Sequence, residues 1–125
     1  MIRSGKPRKQ RKFRFSTAPM HERQRFVHMH ISKELGAKLG IKKRSIAARK
    51  GDSVKVMSGK HKGRTGKLTM VDLRRNVVYV DSITRKTAKG KEIQIPIYSS
   101  NVYLTDLDLG DKLRSEKIDV FKAKK

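Results

Sequence analysis

Residues 50–68 read KGDSVKVMSGKHKGRTGKL and carry the clearest structural pattern in the chain. Ser53–Met57 alternates polar and apolar side chains, as a half-buried strand does, and strand character resumes over Lys67–Val71. Between these segments lie glycines at 59, 63 and 66, which permit positive φ and the close approach of another backbone. The stretch therefore predicts two strands joined by a glycine-rich, strongly basic turn.

The residues that follow continue the strand pattern. Val77–Val80 is rich in β-branched residues, and Ile93–Ile97 and Val102–Leu104 complete a set of five short segments within about 55 residues. Residues 85–92 are predicted to form a charged loop centred on Gly90. Five short strands at this spacing predict a mainly β protein built on a small barrel.

The segments on either side of the predicted barrel differ from it in composition. Residues 1–50 hold 16 Lys/Arg and only two acids, and they form a predicted basic N-terminal extension. Residues 51–105 form the predicted barrel, and 106–125 a partly helical C-terminal tail that packs on the barrel rim and ends on Lys122, Lys124 and Lys125.

Two short helices are predicted inside the extension, between residues 17 and 40. The first follows the capping sequence Thr17-Ala18-Pro19 and covers Met20–Met29. The second has Ser32 as its N-cap and Gly40 as its terminating residue. Ahead of them, Gly5 and Pro7 disfavour regular structure, so residues 1–15 are expected to lie extended until a partner orders them.

The charge balance points to a polyanionic partner. The 125 residues include 33 Lys/Arg and 11 Asp/Glu, for a formal net charge of +22. Such a chain repels itself, whereas nucleic acid offers one phosphate for each cation and releases counterions on binding. A membrane surface is the alternative polyanion, but the sequence holds no apolar run of the ~18 residues that a span requires. Its N-terminus lacks the apolar stretch of a signal peptide, and there is no cysteine. We expect a soluble, cytoplasmic protein.

The cations of the glycine-rich turn and of the N-terminal arm are the predicted RNA contacts. A tight turn flanked by cations presents amide donors and positive charge to a phosphate chain. In the arm, Phe13 and Phe15 interrupt a basic run that begins at Arg3, and aromatic side chains can stack on bases. The alternatives are a solvated turn and a disordered arm whose two phenylalanines dock on the protein's own core. Arg74 and Arg75 could equally be solvated turn residues.

The predicted RNA contacts are Arg8, Lys9, Arg11, Lys12, Phe13, Arg14, Arg23, Arg25, Lys43, Arg44, Arg49, Lys60, His61, Lys62, Arg64 and Lys67. Gly59, Gly63 and Gly66 are predicted to shape the turn.

The sequence predicts neither catalysis nor a cofactor or metal. The turn is not a nucleotide-binding P-loop, because His61 replaces the required first glycine and Leu68 the required Ser or Thr. His28 and His30 could suggest a metal pair, but no Cys or nearby carboxylate completes the ligand set. Asp106, Asp108 and Asp111 are interpreted as helix-capping or exposed groups.

Three stretches resemble a known family. Residues 50–68 resemble the KOW motif, which lies on the opening hairpin of an SH3-like barrel. The stretches FSTAPMHER (15–23) and ISKEL (31–35) are similar to the N-terminal extension of the archaeal and eukaryotic branch of ribosomal protein L twenty-four. PIYSSNV (96–102) resembles the signature of that family after its fourth strand, although Tyr98 and Ser99 stand where many members have His and Pro.

The resemblance implies an SH3-like barrel in a structural protein of the large ribosomal subunit. It implies binding near the 5′ end of the large-subunit rRNA, a role in early assembly and a position near the polypeptide exit tunnel. Its partners would be that rRNA and neighbouring ribosomal proteins, with no small-molecule substrate. The absence of a long basic C-terminal tail favours an archaeal source.

Two other classes of function remain open at this point. Transcription elongation factors that bind RNA polymerase also carry KOW barrels, but they usually have an α/β domain where this chain has a basic arm. A general binder of polyanions would show little preference between RNA, DNA and membrane surfaces.

Overall fold

In the computed structural model, residues 4–123 are described, and they form nine strands and four α-helices. Arg3, Lys124 and Lys125, which were predicted to belong to basic ends, lie outside this part of the chain. The helices are α1 (Pro7–Lys12), α2 (Met20–Phe26), α3 (Lys33–Leu39) and α4 (Lys112–Ala123), with a π-helical turn at Phe13–Thr17 and a 3₁₀ turn at Ser99–Asn101. The strands are β1 (His28–Ile31), β2 (Ser45–Ala47), β3 (Ser53–Val56), β4 (Thr65–Asp72), β5 (Val77–Val80), β6 (Thr84–Lys86), β7 (Glu92–Gln94), β8 (Ile97–Tyr98) and β9 (Val102–Asp106).

Seven of the strands form one sheet in the order β2-β1-β9-β3-β4-β5-β8. Its pairings are antiparallel except that of β1 with β9, which is parallel. Strands β6 and β7 form a separate two-stranded ribbon. The mainly β, barrel-like architecture predicted from the strand pattern is confirmed.

Alternation along the strands places the core. On β3, Val54 and Val56 are buried while Lys55 is exposed, and β9 buries Val102 and Leu104 in the same way. These side chains meet Leu68, Val78 and Val80 from β4 and β5 in one hydrophobic cluster. The cluster also takes in Met29 from β1 and Ile118 from α4, so segments from both ends of the chain complete the core.

Several predicted elements appear with nearly the expected bounds. Val77–Val80 forms a strand as predicted, and Ser53–Val56 and Thr65–Asp72 differ from prediction by one or two residues. Helix α3 has the predicted caps. The Ser32 hydroxyl accepts a hydrogen bond from the Leu35 amide at 3.2 Å, and Gly40 adopts the left-handed conformation with φ of 66°.

Between residues 20 and 97, three predictions of local structure were wrong and one strand was missed. The helix expected over Met20–Met29 ends at Phe26, because His28–Ile31 pairs with both β2 and β9. Strand β2 was not predicted at all. The strand expected over Ile93–Ile97 divides into β7 and β8 just before Pro96, which has no amide N–H to donate. Part of the charged loop at 85–92 is strand, since β6 and β7 extend into it.

The N-terminal arm is helical where an extended chain was expected. Pro7 is the first residue of α1, a position at which its missing N–H costs nothing. The helix then widens into a π-turn, in which the Ala18 amide donates to the Phe13 carbonyl at 2.8 Å. The arm therefore has regular structure within the protein chain alone.

A buried ion pair fastens α4 to the sheet. The Arg114 guanidinium makes two hydrogen bonds to the Asp52 carboxylate, at 2.5 and 2.6 Å, and both residues are almost fully buried. Further bonds join Arg114 to the carbonyls of Ala47 and Asp108, and the amides of Arg49 and Asp108 donate to Asp52. The pair thus holds the start of β3, the end of β2 and the C-terminal helix together.

Candidate nucleic-acid interface

The glycine turn, residues 57–64, is a tightly bonded connection between β3 and β4. The Gly63 amide donates to the Val56 carbonyl at 2.8 Å, and the Val56 amide donates to the Arg64 carbonyl at 2.9 Å. Gly59 and Gly63 have φ of 95° and 87°, values that L side chains rarely adopt. Both positions therefore use the positive φ that glycine permits, and this gives the turn one defined shape.

Gly66 serves a different purpose, the close approach of a neighbouring segment. A Cβ atom at this position would lie 2.7 Å from both the Ser82 hydroxyl oxygen and a Val80 methyl group. The segment is held there because Ser82 donates to the Thr65 carbonyl and the Lys67 amide donates to the Asp81 carboxylate. Gly66, the second residue of β4, therefore packs directly against the end of β5.

Four cations surround the glycine turn without partners of opposite charge. Lys60, Lys62, Arg64 and Lys67 are all exposed, and none is in an ion pair within residues 4–123. His61 is half-buried and lines a small cavity of about 150 Å³ together with Pro96 and Tyr98. These side chains thus form a dense group of positive charges on and next to a preformed turn.

The N-terminal arm presents a second basic surface. Arg8, Lys9, Arg11, Lys12 and Arg14 are exposed along α1 and the π-turn. The structure separates the two phenylalanines of the arm: Phe13 is partly buried, whereas half of the Phe15 side-chain surface is exposed. Arg14 lies 5.3 Å from the centre of the Phe26 ring, which gives the arm a cation–π contact with α2.

Arg23 was predicted to contact RNA, but its side chain points inward. It is 9% exposed, and its guanidinium donates to the carbonyls of Ala18 at 2.8 Å, Phe15 at 3.4 Å and Arg74 at 3.5 Å. These carbonyls belong to the end of the π-turn and to the β4–β5 connection. Because its donors are directed at backbone groups of the protein, the Arg23 side chain is not available to a phosphate.

The remaining predicted cations differ in whether another side chain of the protein contacts them. Arg25 and Arg44 are exposed, whereas the Lys43 ammonium lies 3.9 Å from the centre of the Phe121 ring of α4. Arg49 forms an ion pair with Asp111, and this contact lowers the pKa of the Asp111 carboxyl. Lys43 and Arg49 thus have partners within the protein, while Arg25 and Arg44 remain available to a phosphate.

The histidines of β1 lie on the same face of the strand. Burial, with a further contribution from the charges of Lys43 and Arg25, lowers the pKa of His28 below its ordinary value of 6.5. The His30 ring packs 5.6 Å from that of Tyr103. Across residues 4–123 there is no group of three or more His, Cys, Asp or Glu side chains arranged to hold a metal ion.

Two further features were not predicted from the sequence. One is the Asp52–Arg114 pair, whose residues lie 62 positions apart and have no local pattern to relate them. The other is the ribbon of β6 and β7, which carries Arg85, Lys86, Lys89 and Lys91 on an exposed projection. These charges were visible in the sequence, but only the strand pairing shows that they project together.

Comparison with known proteins places these features in a family. A family model that describes the ribosomal proteins L26 of eukaryotes and L24 of archaea matches residues 4–120. Large ribosomal subunit protein uL24 of Methanothrix thermoacetophila is 50% identical over 115 residues, which cover 92% of this chain and 96% of that protein. The protein of the same name from Pyrobaculum islandicum is 40% identical over 112 residues, which cover 90% of this chain and 89% of that protein.

These matches cover the basic arm, the glycine turn and α4 up to Val120. None of the helices in the described range is long and apolar enough to cross a membrane. The chain therefore belongs to the family of ribosomal proteins that comprises L26 of eukaryotes and L24 of archaea.

Proposed function

We propose that this protein is a structural constituent of the large ribosomal subunit and that it binds the large-subunit rRNA. The names of its relatives support the first part, and the family is one of structural proteins rather than enzymes. The observation that supports the second part is the group of four exposed cations on and beside the preformed glycine turn, none of which is in an ion pair within residues 4–123. A surface with this concentration of free positive charge is suited to a phosphate backbone.

In the proposed mechanism the sheet is a rigid support for two basic surfaces. Lys60, Lys62, Arg64 and Lys67 contact phosphates where the RNA crosses the glycine turn, and the turn loses little conformational freedom because its shape is already fixed. The exposed arginines and lysines of α1 contact a second stretch of RNA. Phosphate and shape contacts dominate, since an RNA duplex hides most of its base edges in a narrow groove.

We also propose a location that follows from family membership. The protein binds near the 5′ end of the large-subunit rRNA, joins the subunit early in assembly and lies near the polypeptide exit tunnel. Neighbouring ribosomal proteins would then be its other partners. Its location in the cell would be the cytoplasm, within the ribosome.

Titration of the protein with large-subunit rRNA and with duplex DNA of equal length, at matched salt, tests RNA binding. We expect tighter binding to the structured rRNA, and the Lys60→Ala, Lys62→Ala, Arg64→Ala triple variant should bind it more weakly. Its log–log salt slope should fall by roughly 0.7–0.9 for each phosphate that the variant no longer binds. Equal affinity for rRNA and DNA would contradict a specific role, and an unchanged slope would show that the turn faces away from the RNA.

Sedimentation of the tagged protein from a cell lysate through a sucrose gradient, after a high-salt wash, tests the ribosomal assignment. We expect the protein to remain with the large subunit. Release into light fractions together with RNA polymerase would instead identify a transcription factor built on the same KOW barrel.

A further inference from the structure

The ribbon of β6 and β7, residues 84–94, is a basic projection outside the surfaces described above. Residues 85–91 hold four Lys/Arg and no acids. All of Arg85, Lys86, Lys89 and Lys91 are exposed, and no ion pair involves any of them in the part of the chain that the structure describes. This charge lies on β6 and on the turn that joins it to β7, and neither strand belongs to the seven-stranded sheet.

The ribbon is firmly attached at its base. Ile83, immediately before β6, is fully buried, and the Ile95 amide donates to its carbonyl at 3.4 Å. Gln94 accepts a hydrogen bond from the Thr69 hydroxyl of β4 at 3.2 Å. The ribbon therefore leaves the molecule in a fixed direction, although an isolated two-stranded ribbon would be only marginally stable in water.

Its tip is equally well defined. The Thr87 amide and hydroxyl both donate to the Lys91 carbonyl, at 2.9 and 3.1 Å, and the Gly90 amide donates to the Thr87 carbonyl at 2.9 Å. Gly90 has φ of 79°, which closes the turn. Lys89 and Lys91 are thus carried on a preformed tip rather than on a flexible loop.

The pairing register separates the two faces of the ribbon. Thr84 pairs with Gln94 and Lys86 with Glu92, and at the base of this face Gln94 contacts Thr69 of β4. Arg85 pairs with Ile93 on the opposite face, where 51% of the Ile93 side-chain surface is exposed. The outward face therefore combines a planar cation with one apolar side chain, and the tip adds two more cations.

We propose that this ribbon is a third, separate RNA-binding element, which contacts structured RNA through its Arg85–Ile93 face and through Lys89 and Lys91. The proposal rests on the RNA binding proposed above and adds a third point of attachment to the glycine turn and α1. Arg85 can bind phosphate or stack on an unpaired base, and Ile93 can pack on a ribose. A protein partner fits less well, because Ile93 is the one large apolar side chain exposed on the ribbon, whereas protein interfaces have a clustered apolar centre.

The glycine turn and the ribbon should protect different nucleotides. Hydroxyl-radical footprinting of in vitro transcribed large-subunit rRNA can separate them, with the Arg85→Ala, Lys89→Ala, Lys91→Ala variant compared with the Lys60→Ala, Lys62→Ala, Arg64→Ala variant. We expect each variant to lose a different patch of protection. The salt slope of the ribbon variant should also fall by roughly 0.7–0.9 for each phosphate that it no longer binds.

A matched control is provided by α4, where Lys112→Ala, Lys117→Ala and Lys122→Ala together remove the same charge. The outward surface of this helix carries the exposed apolar side chains Leu113 and Val120, which suit RNA poorly. We expect the α4 variant to keep every protected patch. The milder Lys89→Gln, Lys91→Gln variant, with its thermal midpoint measured, separates weakened RNA binding from a failure to fold.

Two results would overturn the proposal. In the first, the ribbon variant keeps every protected patch of the unmodified protein. In the second, the salt slope of its rRNA binding falls no further than that of the α4 variant. Either result leaves the RNA binding proposed for the glycine turn intact. If instead the unmodified protein protects no nucleotide, the proposed function itself fails and the ribbon proposal fails with it.

Discussion

At the scale of single residues, the start of β4 leaves no room for a side chain at Gly66. An added methyl group would overlap the Ser82 hydroxyl and the Val80 side chain. We expect Gly66→Ala to lower the free energy of unfolding by about 1–3 kcal/mol, measured by urea denaturation. Gly5→Ala is the control, because nothing lies within 4 Å of its added Cβ. Equal stability of the two variants would mean that the β5 end moves aside freely.

The Asp52–Arg114 pair is the residue contact with the largest expected effect. Asp52→Asn leaves the buried Arg114 charge without its counterion, so we expect a loss of about 3–5 kcal/mol in the free energy of unfolding. Adding Arg114→Met should restore part of this loss, since the buried charge is then removed as well. Urea denaturation of both single variants and the double variant gives the coupling free energy.

The exposed pair of Arg49 and Asp111 is the control for that experiment. Asp111→Asn removes one charge from a solvent-accessible contact and should cost much less stability than Asp52→Asn, because water screens the exposed pair. Asn can still accept the hydrogen bond from the Leu113 amide that caps α4. A similar loss at Asp52 and Asp111 would contradict a special role for the buried pair.

His28 gives the protein a pH dependence of definite sign. Its pKa is lowered in the folded chain, whereas the unfolded chain binds the proton at the ordinary value of 6.5. The unfolded state therefore binds more protons below that pH, so stability is fully present above about pH 6.5 and decreases as the pH falls through the lowered pKa. An NMR titration of the His28 ring should show a pKa below 6.5.

His28→Gln tests the same linkage through stability. Lowering the pH from above 6.5 to below the lowered pKa of folded His28 should destabilise the unmodified protein. The same change should lower the free energy of unfolding of His28→Gln by a smaller amount. A His28 ring that titrates at or above its ordinary pKa would show that burial and the neighbouring cations do not control its charge.

At the scale of elements, Arg23 joins the N-terminal arm to the sheet. Its guanidinium spans the end of the π-turn and the β4–β5 connection, so it fixes the direction in which α1 leaves the molecule. Arg23→Met should lower the free energy of opening of the contact between the π-turn and the β4–β5 connection by about 1.5–3 kcal/mol. Amide exchange at Ala18 should then be roughly 10- to 150-fold faster. Hydrogen exchange followed by NMR measures the change.

Arg25→Met is matched to that variant, since it removes the same charge from an exposed position of the same helix. We expect amide exchange at Ala18 to stay unchanged in Arg25→Met. The two variants should also differ in rRNA binding: Arg25→Met removes at most one phosphate-binding group, whereas Arg23→Met weakens the RNA binding of the whole arm. Equal exchange rates in both variants would mean that α1 is oriented by other contacts.

At the scale of the whole molecule, the net charge of +22 opposes the compact state. Added salt screens this repulsion over about 10 Å at 0.1 M. The thermal midpoint of the free protein should therefore rise between low-salt buffer and molar sodium chloride, as followed by circular dichroism. The rise should be smaller in the ribbon variant, which has three fewer charges. A midpoint that falls with salt would show that attractive ion pairs outweigh the repulsion.

The sequence by itself determined the features that depend on neighbours along the chain. Alternation at Ser53–Val56 and β-branched residues at Val77–Val80 specified strands, Ser32 and Gly40 specified the ends of α3, and Gly59 and Gly63 specified a turn with positive φ. Charge alone indicated a polyanionic partner, because no folded shape can neutralise an excess of +22.

Only the tertiary structure decided which charges are free to meet that partner. Arg23 and Arg25 are equivalent in the sequence, yet one donates to three backbone carbonyls and the other is exposed. Strand β1 replaces the end of a predicted helix because β2 and β9 offer it backbone partners distant in sequence. Asp52 and Arg114 meet across 62 positions for the same reason. Burial and long-range pairing arise from the packed chain as a whole, so no local pattern contains them.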